Sequence, residues 1–428
     1  MAPRPRSPIF HGWIVVGAAF AVMFAGFGVG YSFGAFFTAL EQEFAARRGD
    51  LSIVFAISGA LYFGLGLPSG AAADRWGPRR VAFLGFAIMT AGLALASRAD
   101  ALWQIYLASG LGIGIGVGFS YVPSMGAVQP WFVRRRAFAS GIAIAGIGAG
   151  TLAVPPATAW LVAAIGWRDS YLVLAALTLL VGGGGALLLD SRPQRRGLGP
   201  DGGPAAAGIG PRAVSGLDFR AAARSRPFRL LAIAAFLTSF GIFVPFVHLA
   251  PAAVDLGASD RAAASLLGMI GAGSILGRFV IGSLADRFGR RRALVVVVAA
   301  QSALLVVWVA ADQFWMLAVF AIAFGLSYGG YVALMPTLCA DFFGARAIGA
   351  IMGAVFSSVA VGCLLGPPLA GFAFDWLGSY AWPVGACAVL SALAVVATAR
   401  LPDPEGWAAR SGGERSGGER SGGERSGG

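Results

Sequence analysis

One arginine stands inside an apolar stretch of this sequence. In "SILGRFVIGSLADRFGRRR", Ser274 to Arg292, Arg278 comes eight residues before the polar cluster that closes the run. A charge at the centre of a membrane helix costs roughly 2.5–3.5 kcal/mol even on an insertion-based scale. Arginine keeps its proton, and its planar fork meets a carboxylate through two parallel hydrogen bonds. At 1.5 Å per residue Arg278 lies about 12 Å along a helix from Asp286. Half a hydrocarbon core is about 15 Å, so the charge falls near the midplane. Its helical neighbours Gly271, Ser274 and Gly282 suit the inside of a bundle. The apolar runs hold no Asp, Glu or Lys apart from boundary residues, which makes a substrate anion the expected partner. The competing reading is structural: Arg278 caps carbonyls or snorkels to the interface.

Few other residues in the apolar runs can do chemistry. Tyr121 and Tyr331 fall at matching places in the fourth and tenth runs, and Tyr328 lies one turn before Tyr331. Their hydroxyls can donate to a second carboxylate edge or to a 2-hydroxyl or 2-keto oxygen. His248, near the end of the seventh run, titrates near neutral pH and is the candidate for a coupled proton; a satisfied structural histidine is the alternative. Phe27 and Tyr31, within "FAGFGVGYSFG" (24–34), could meet the tail of a short organic acid, although helix packing explains that glycine-rich run as well. Ser357 and Ser358 in the eleventh run could add hydrogen bonds. Cys339, Cys363 and Cys387 read as small apolar fillers, without metal spacing. With no nucleophile–base set, metal cluster or phosphate loop, an enzyme is not expected, and no cofactor or metal is implied.

These side chains need a scaffold, and composition names it. The chain has 428 residues, is 57% hydrophobic and only 12% charged, with a mean hydropathy of +0.75. A soluble domain carries about 25% charged residues. Apolar runs fall at 13–38, 51–73, 81–97, 102–125, 137–163, 169–189, 228–250, 262–285, 293–311, 313–336, 347–370 and 379–399. Runs of this length predict twelve membrane-spanning helices, because lipid leaves the backbone no other partner. The first run is too long for a cleaved signal peptide.

The net charge of +12 comes from 32 basic residues, every one an arginine. They lie between apolar runs, so topology explains them and nucleic-acid binding is not expected. Only Arg47, Arg48, Arg98, Arg168 and Arg261 fall on one side; all the others except Arg278 fall on the opposite side. That asymmetry predicts cytoplasmic N- and C-termini in the plasma (inner) membrane. The expected organisation is a six-helix half at 1–190, a cytoplasmic linker at 191–227, a second six-helix half at 228–400, and a disordered tail at 401–428 carrying "SGGER" repeats.

The halves repeat each other. "GAAADRWGPRR" (70–80) matches "GSLADRFGRRR" (282–292) at an offset of 212, and "YVPSM" (121–125) matches "YVALM" (331–335) at 210. Pro155-Pro156 matches Pro367-Pro368 at 212. The doubled loop resembles the signature of the major facilitator superfamily. "HGWIVV" (11–16), "WFVRRRAFASGI" (131–142), "HLAPAAVDLG" (248–257) and "GRFVIGSLAD" (277–286) are similar to its monocarboxylate/oxalate-porter branch. The resemblance implies an all-α membrane fold of twelve helices in two pseudo-symmetric halves. It supports Tyr121, Tyr331 and His248 as functional, and assigns Asp74, Arg75, Asp286 and Arg287 to gating of the cytoplasmic side.

The pattern departs from the branch in one respect. The oxalate exchanger pattern has a lysine in the eleventh helix; 347–370 contains no basic residue, which favours a substrate with one negative charge. The paired-arginine design of nitrate porters is absent too, because the repeat mate of Arg278 is Gly66. The expectation is a monomeric, proton-coupled carrier of a small monocarboxylate such as lactate or pyruvate, working by alternating access. An organic-anion exchanger or exporter, and a ligand sensor that does not transport, are the alternatives.

Overall fold

A computed structural model describes residues 10–203, 216–344, 346–404, 406 and 407, with only the backbone of 136 and 137. Among these residues the structure is helical, with one isolated β-bridge between Gly216 and Gly344. The passes are α1 (His11–Phe44), α2 (Arg48–Gly64 with Gly66–Trp76), α3 (Pro78–Ala96) and α4 (Leu102–Trp131), followed by one helical run, Phe138–Leu188. Unbroken, that run of 51 residues would be about 76 Å long, far more than a bilayer core of about 30 Å. Gly166, at φ 82 and ψ 165, breaks it. Residues 138–165 and 167–188 are therefore two passes, α5 and α6. The second half follows as α7 (Arg226–Asp255), α8 (Asp260–Phe288), α9 (Arg290–Val309), α10 (Phe314–Phe343), α11 (Ile348–Leu377) and α12 (Ala381–Ala399). Several passes extend past the apolar runs by a turn or two, because their polar ends project beyond hydrocarbon.

The repeated loops fold alike. Gly77 and Gly289 close α2 and α8 with φ of 86 and 94, a region that glycine enters without steric cost. Two passes are interrupted near their middles. α1 breaks at Tyr31 and Ser32, and α2 bends by 51° at Leu65, between Gly64 and Gly66. The halves meet along α2 with α11 and along α5 with α8. A methyl on Gly271 of α8 would collide with the Leu152 backbone of α5, and one on Gly371 would lie 2.7 Å from Gly49. Lipid supplies no hydrophobic drive between helices, so such close backbone approach supplies the attraction through van der Waals contact.

The segment between the halves is more structured than its composition suggests. It contains 3₁₀ turns at Pro193–Arg196 and Pro200–Gly202 and a short helix, Phe219–Arg224, capped by Asp218. Asp201 accepts hydrogen bonds from the backbone N–H groups of Val133 and Arg134, and Leu217 donates to Phe343 O at 2.8 Å. These partners are distant in sequence, so no local pattern announces them. Leu401, assigned to the tail by composition, is 1% exposed. The "SGGER" repeats, with Arg4 and Arg6, lie outside the described residues.

Candidate substrate site and its gate

A cavity opens where α1 and α2 are interrupted. Phe27 and Tyr31 of α1, Tyr62 and Phe63 of α2 and Tyr121 of α4 line it from one half. From the other come Phe243 of α7, Tyr328 and Tyr331 of α10, and Phe356 and Val359 of α11. It offers about 80 Å³ to the centre of a water-sized sphere. One water needs about 10–15 Å³ on that measure, so the space admits roughly five to eight non-hydrogen atoms. Its polar groups are tyrosine hydroxyls. Tyr31 and Tyr328 share a hydrogen bond of 2.9 Å across the halves, while the buried hydroxyl of Tyr331 has no partner among the described residues.

Arg278 is not among the residues that line this chamber; its link to it is through three tyrosines that do. It is 9% exposed, and Tyr328, Tyr31 and Tyr121 lie within electrostatic reach of its guanidinium. Its one hydrogen bond is marginal: Nη1 donates to Ser274 O, one turn back on α8, at 3.5 Å. Nε and Nη2 are buried without a partner among the described residues. Those two N–H groups share the side-on edge of the guanidinium, the edge that fits a carboxylate bidentately. A buried cation left unpaired is unfavourable, and an anion with two syn oxygens relieves it.

The other predicted residues separate into groups. Phe27, Tyr31, Tyr121, Tyr328 and Tyr331 all line the cavity. Ser357 and Ser358 do not. Ser357 is exposed and bonds back to Gly353 O at 2.9 Å, and the cavity face of α11 is formed by Phe356 and Val359 instead. At 100° per residue the serines rotate off that face. Tyr62, Phe63, Phe243 and Phe356 were not foreseen. One signal pointed toward two of them: the repeat mate of Arg278 is Gly66, one turn from Tyr62 and Phe63.

A polar seal closes the chamber on the face that holds the first residues of α2. Arg48 donates twice to Asp255 of α7, at 2.6 and 2.7 Å, and also to Glu41 at 3.2 Å and Tyr380 at 3.1 Å. It lies 4.2 Å over the Phe374 ring. Asp375 of α11 accepts the backbone N–H groups of Arg48 and Gly49. Beneath this cluster His248 is fully buried. Its Nε2 lies 2.8 Å from Pro367 O and 3.1 Å from Ser52 Oγ, and its Nδ1 lies 3.1 Å from the Tyr380 hydroxyl. A carbonyl only accepts, so Nε2 carries the proton. Arg48 donates to the Tyr380 oxygen, so Tyr380 can spend its own proton on Nδ1. The ring is committed on both sides.

The opposite, arginine-rich face has no such seal among the described residues, and in that sense it is open. Among the described residues, the hydrogen bonds between α1–α6 and α7–α12 belong to the seal or lie at the chamber, where Tyr31 meets Tyr328 and Tyr62 meets Cys363. On that face Asp74, Arg75, Asp286 and Arg287 are exposed, and no ion pair among the described residues joins the halves there. Asp286 pairs with Arg290, which also holds Asp341 at the end of α10. Arg290 thus ties the repeated loop to α10 within one half, a role the sequence reading did not assign.

Three comparisons with known proteins bear on these features. The family model described as Major Facilitator Superfamily matches residues 18–271 and 230–423. Human monocarboxylate transporter 11 is 33% identical over 393 residues, covering 89% of this chain and 81% of that protein. Rat monocarboxylate transporter 3 is 32% identical over 376 residues, covering 86% of this chain and 75% of that one. Among solved structures, a bacterial homologue of the human lysosomal transporter Spinster, in an inward-facing and unoccupied conformation, superposes with a TM-score of 0.68. It is 18% identical and covers 93% of this chain and 96% of its own.

Proposed function

The chain belongs to the major facilitator superfamily, in its monocarboxylate-transporter-like branch, and on that premise we propose that it carries a small monocarboxylate such as lactate or pyruvate across the membrane by alternating access, with a proton moving alongside. It is a transporter and not an enzyme. The observation that carries the reading is the side-on edge of Arg278, buried and without a partner among the described residues, within electrostatic reach of three tyrosines that line the chamber. One cation answers one carboxylate. Tyr121, Tyr328 and Tyr331 orient the acid, and Phe27 and Tyr31 meet its apolar end.

Arginine asymmetry supports a cytoplasmic placement of the open face and both termini, in the plasma membrane, with a monomer as the working unit. The conformation described is then the inward-facing one, with Arg48 and its acids as the outer gate. Asp74, Arg75, Asp286 and Arg287 act when the cytoplasmic side closes. His248 takes the proton from outside: opening of the seal draws Arg48 off the Tyr380 hydroxyl and Ser52 off Nε2, which exposes the ring while Tyr380 stays with it in the same half.

Uptake of labelled L-lactate and pyruvate into proteoliposomes, with and without an inward proton gradient, tests the reading. Gradient-driven uptake that collapses in Arg278→Lys supports it. No uptake of either acid by a folded wild type removes the substrate assignment. Organic-anion exchange is the second reading, favoured by the lack of any acid beside Arg278 among the described residues. It predicts counterflow that ignores the proton gradient.

A further inference from the structure

We infer that Gly148 of α5 is the positioning residue of the anion-binding arginine, a seat in one half for a cation carried by the other. The inference rests on the proposed role of Arg278. A Cβ built at Gly148 would lie 2.8 Å from Arg278 Nη1, 2.5 Å from Ile275 Cγ1 and 3.4 Å from Gly271 O. The guanidinium therefore occupies the space that any other residue at 148 would fill. Nη1 is the end that rests there, and its bond to Ser274 O at 3.5 Å is too long to aim it. The guanidinium is rigid and planar, so whatever stops Nη1 also fixes the opposite edge, Nε with Nη2, which is the edge left for the anion.

The seat crosses the seam between the halves, with α5 on one side and α8 on the other. When the halves rock, the floor under Nη1 shifts while the arginine stays with α8. The aim of the cation is thus set by a helix that does not carry it. Gly271 supplies an internal control. A methyl there would strike the backbone of Thr151 and Leu152 in the same seam, and its nearest neighbours do not include the guanidinium.

The experiment uses the full chain in proteoliposomes, with labelled pyruvate as the probe, and the melting temperature of the purified protein as a second readout. Gly148→Ala is expected to raise KM for pyruvate at least tenfold with Vmax within twofold, whereas Gly271→Ala lowers Vmax and stability together. At least half of the melting loss caused by Gly148→Ala should vanish in an Arg278→Met background, the rest belonging to Ile275; the Gly271→Ala loss should be the same in both backgrounds. An unchanged KM in folded Gly148→Ala, or an equal melting loss in both backgrounds, overturns the seat. If Gly148→Ala does not fold, recovery in the double variant supports the seat and failure to recover overturns it. A wild type that moves no monocarboxylate removes the transport reading, and the melting comparison then decides the seat alone.

Discussion

Two arginines, one at the sealed face and one at the centre of the bundle, are treated in opposite ways. Arg48 has a carboxylate across its two terminal nitrogens, a second carboxylate on Nε, a tyrosine hydroxyl and a ring beneath it. Arg278 has one weak bond to a carbonyl of its own helix. The first is satisfied by the protein, across the seam, and holds the halves together on that side. The second is the cation that the proposed reading gives to the substrate. Charge alone would not separate a gate from a binding site; the number of protein partners does.

The sharpest way to break this comparison is to remove the unsatisfied cation. Arg278→Met should abolish uptake, by at least 100-fold, while leaving the melting temperature unchanged or higher, since a buried unpaired charge is lost. Hydrogen bonds to charged groups are worth about 1.5–3 kcal/mol, so Arg278→Lys, which keeps charge but loses the fork, should cost about 10- to 100-fold in uptake. A fully active lysine variant would refute bidentate recognition.

Arg48 should answer differently. Its side chain is 12% exposed and that of Asp255 37%, so the pair falls between buried and surface cases and is worth about 2 kcal/mol after screening. Arg48→Ala should shift the balance toward opening of the sealed face by about 30-fold. Spin labels at the exposed positions Arg47 and Asp260, on opposite sides of the seam, should then report a longer distance population. An unaltered distribution would remove Arg48 from the gate.

His248→Gln tests what lies under the seal. A glutamine can hydrogen-bond but does not titrate, so uptake without a gradient should stay within about fivefold while stimulation by a proton gradient disappears. Persisting stimulation would take the proton away from His248.

The smallest effect belongs to the linker clip. The backbone N–H of Arg134, followed by that of Val133, holds the Asp201 carboxyl below its ordinary value of 3.8. A depressed carboxyl stabilises the fold above its unfolded value and loses that contribution as the pH falls through its folded one. Asp201→Asn should therefore lower the melting temperature by about a degree at neutral pH. The difference should fade below pH 3.8; a constant difference would exclude the charge as its cause.

The sequence exposed what is local or periodic. Twelve passes followed from apolar length, the repeat from two copies of one loop, and Arg278 from a charge in the wrong solvent. Arg48 was hidden because its acids Glu41, Asp255 and Asp375 lie 7, 207 and 327 residues away, which left it counted among arginines that merely set topology. The serines of α11 were misjudged because polarity was legible while helix phase was not: Phe356 faces the chamber and Ser357, one residue on, faces away. Gly148 carried no signal at all, since a glycine on α5 acquires meaning only beside α8.

The lone cation also has an electrical consequence. A chamber open to one side takes the potential of that side, so switching the empty carrier moves one uncompensated positive charge through the membrane voltage. That step exchanges about 2.3 kcal/mol per 100 mV. On the proposed orientation, with the interior negative, the return of an empty carrier from inward- to outward-facing works against the voltage; a carrier holding the monoanion alone crosses uncharged, whereas one that also holds the coupled proton crosses inward with a single positive charge, in the direction the voltage favours. On that placement the voltage holds an unloaded protein facing inward.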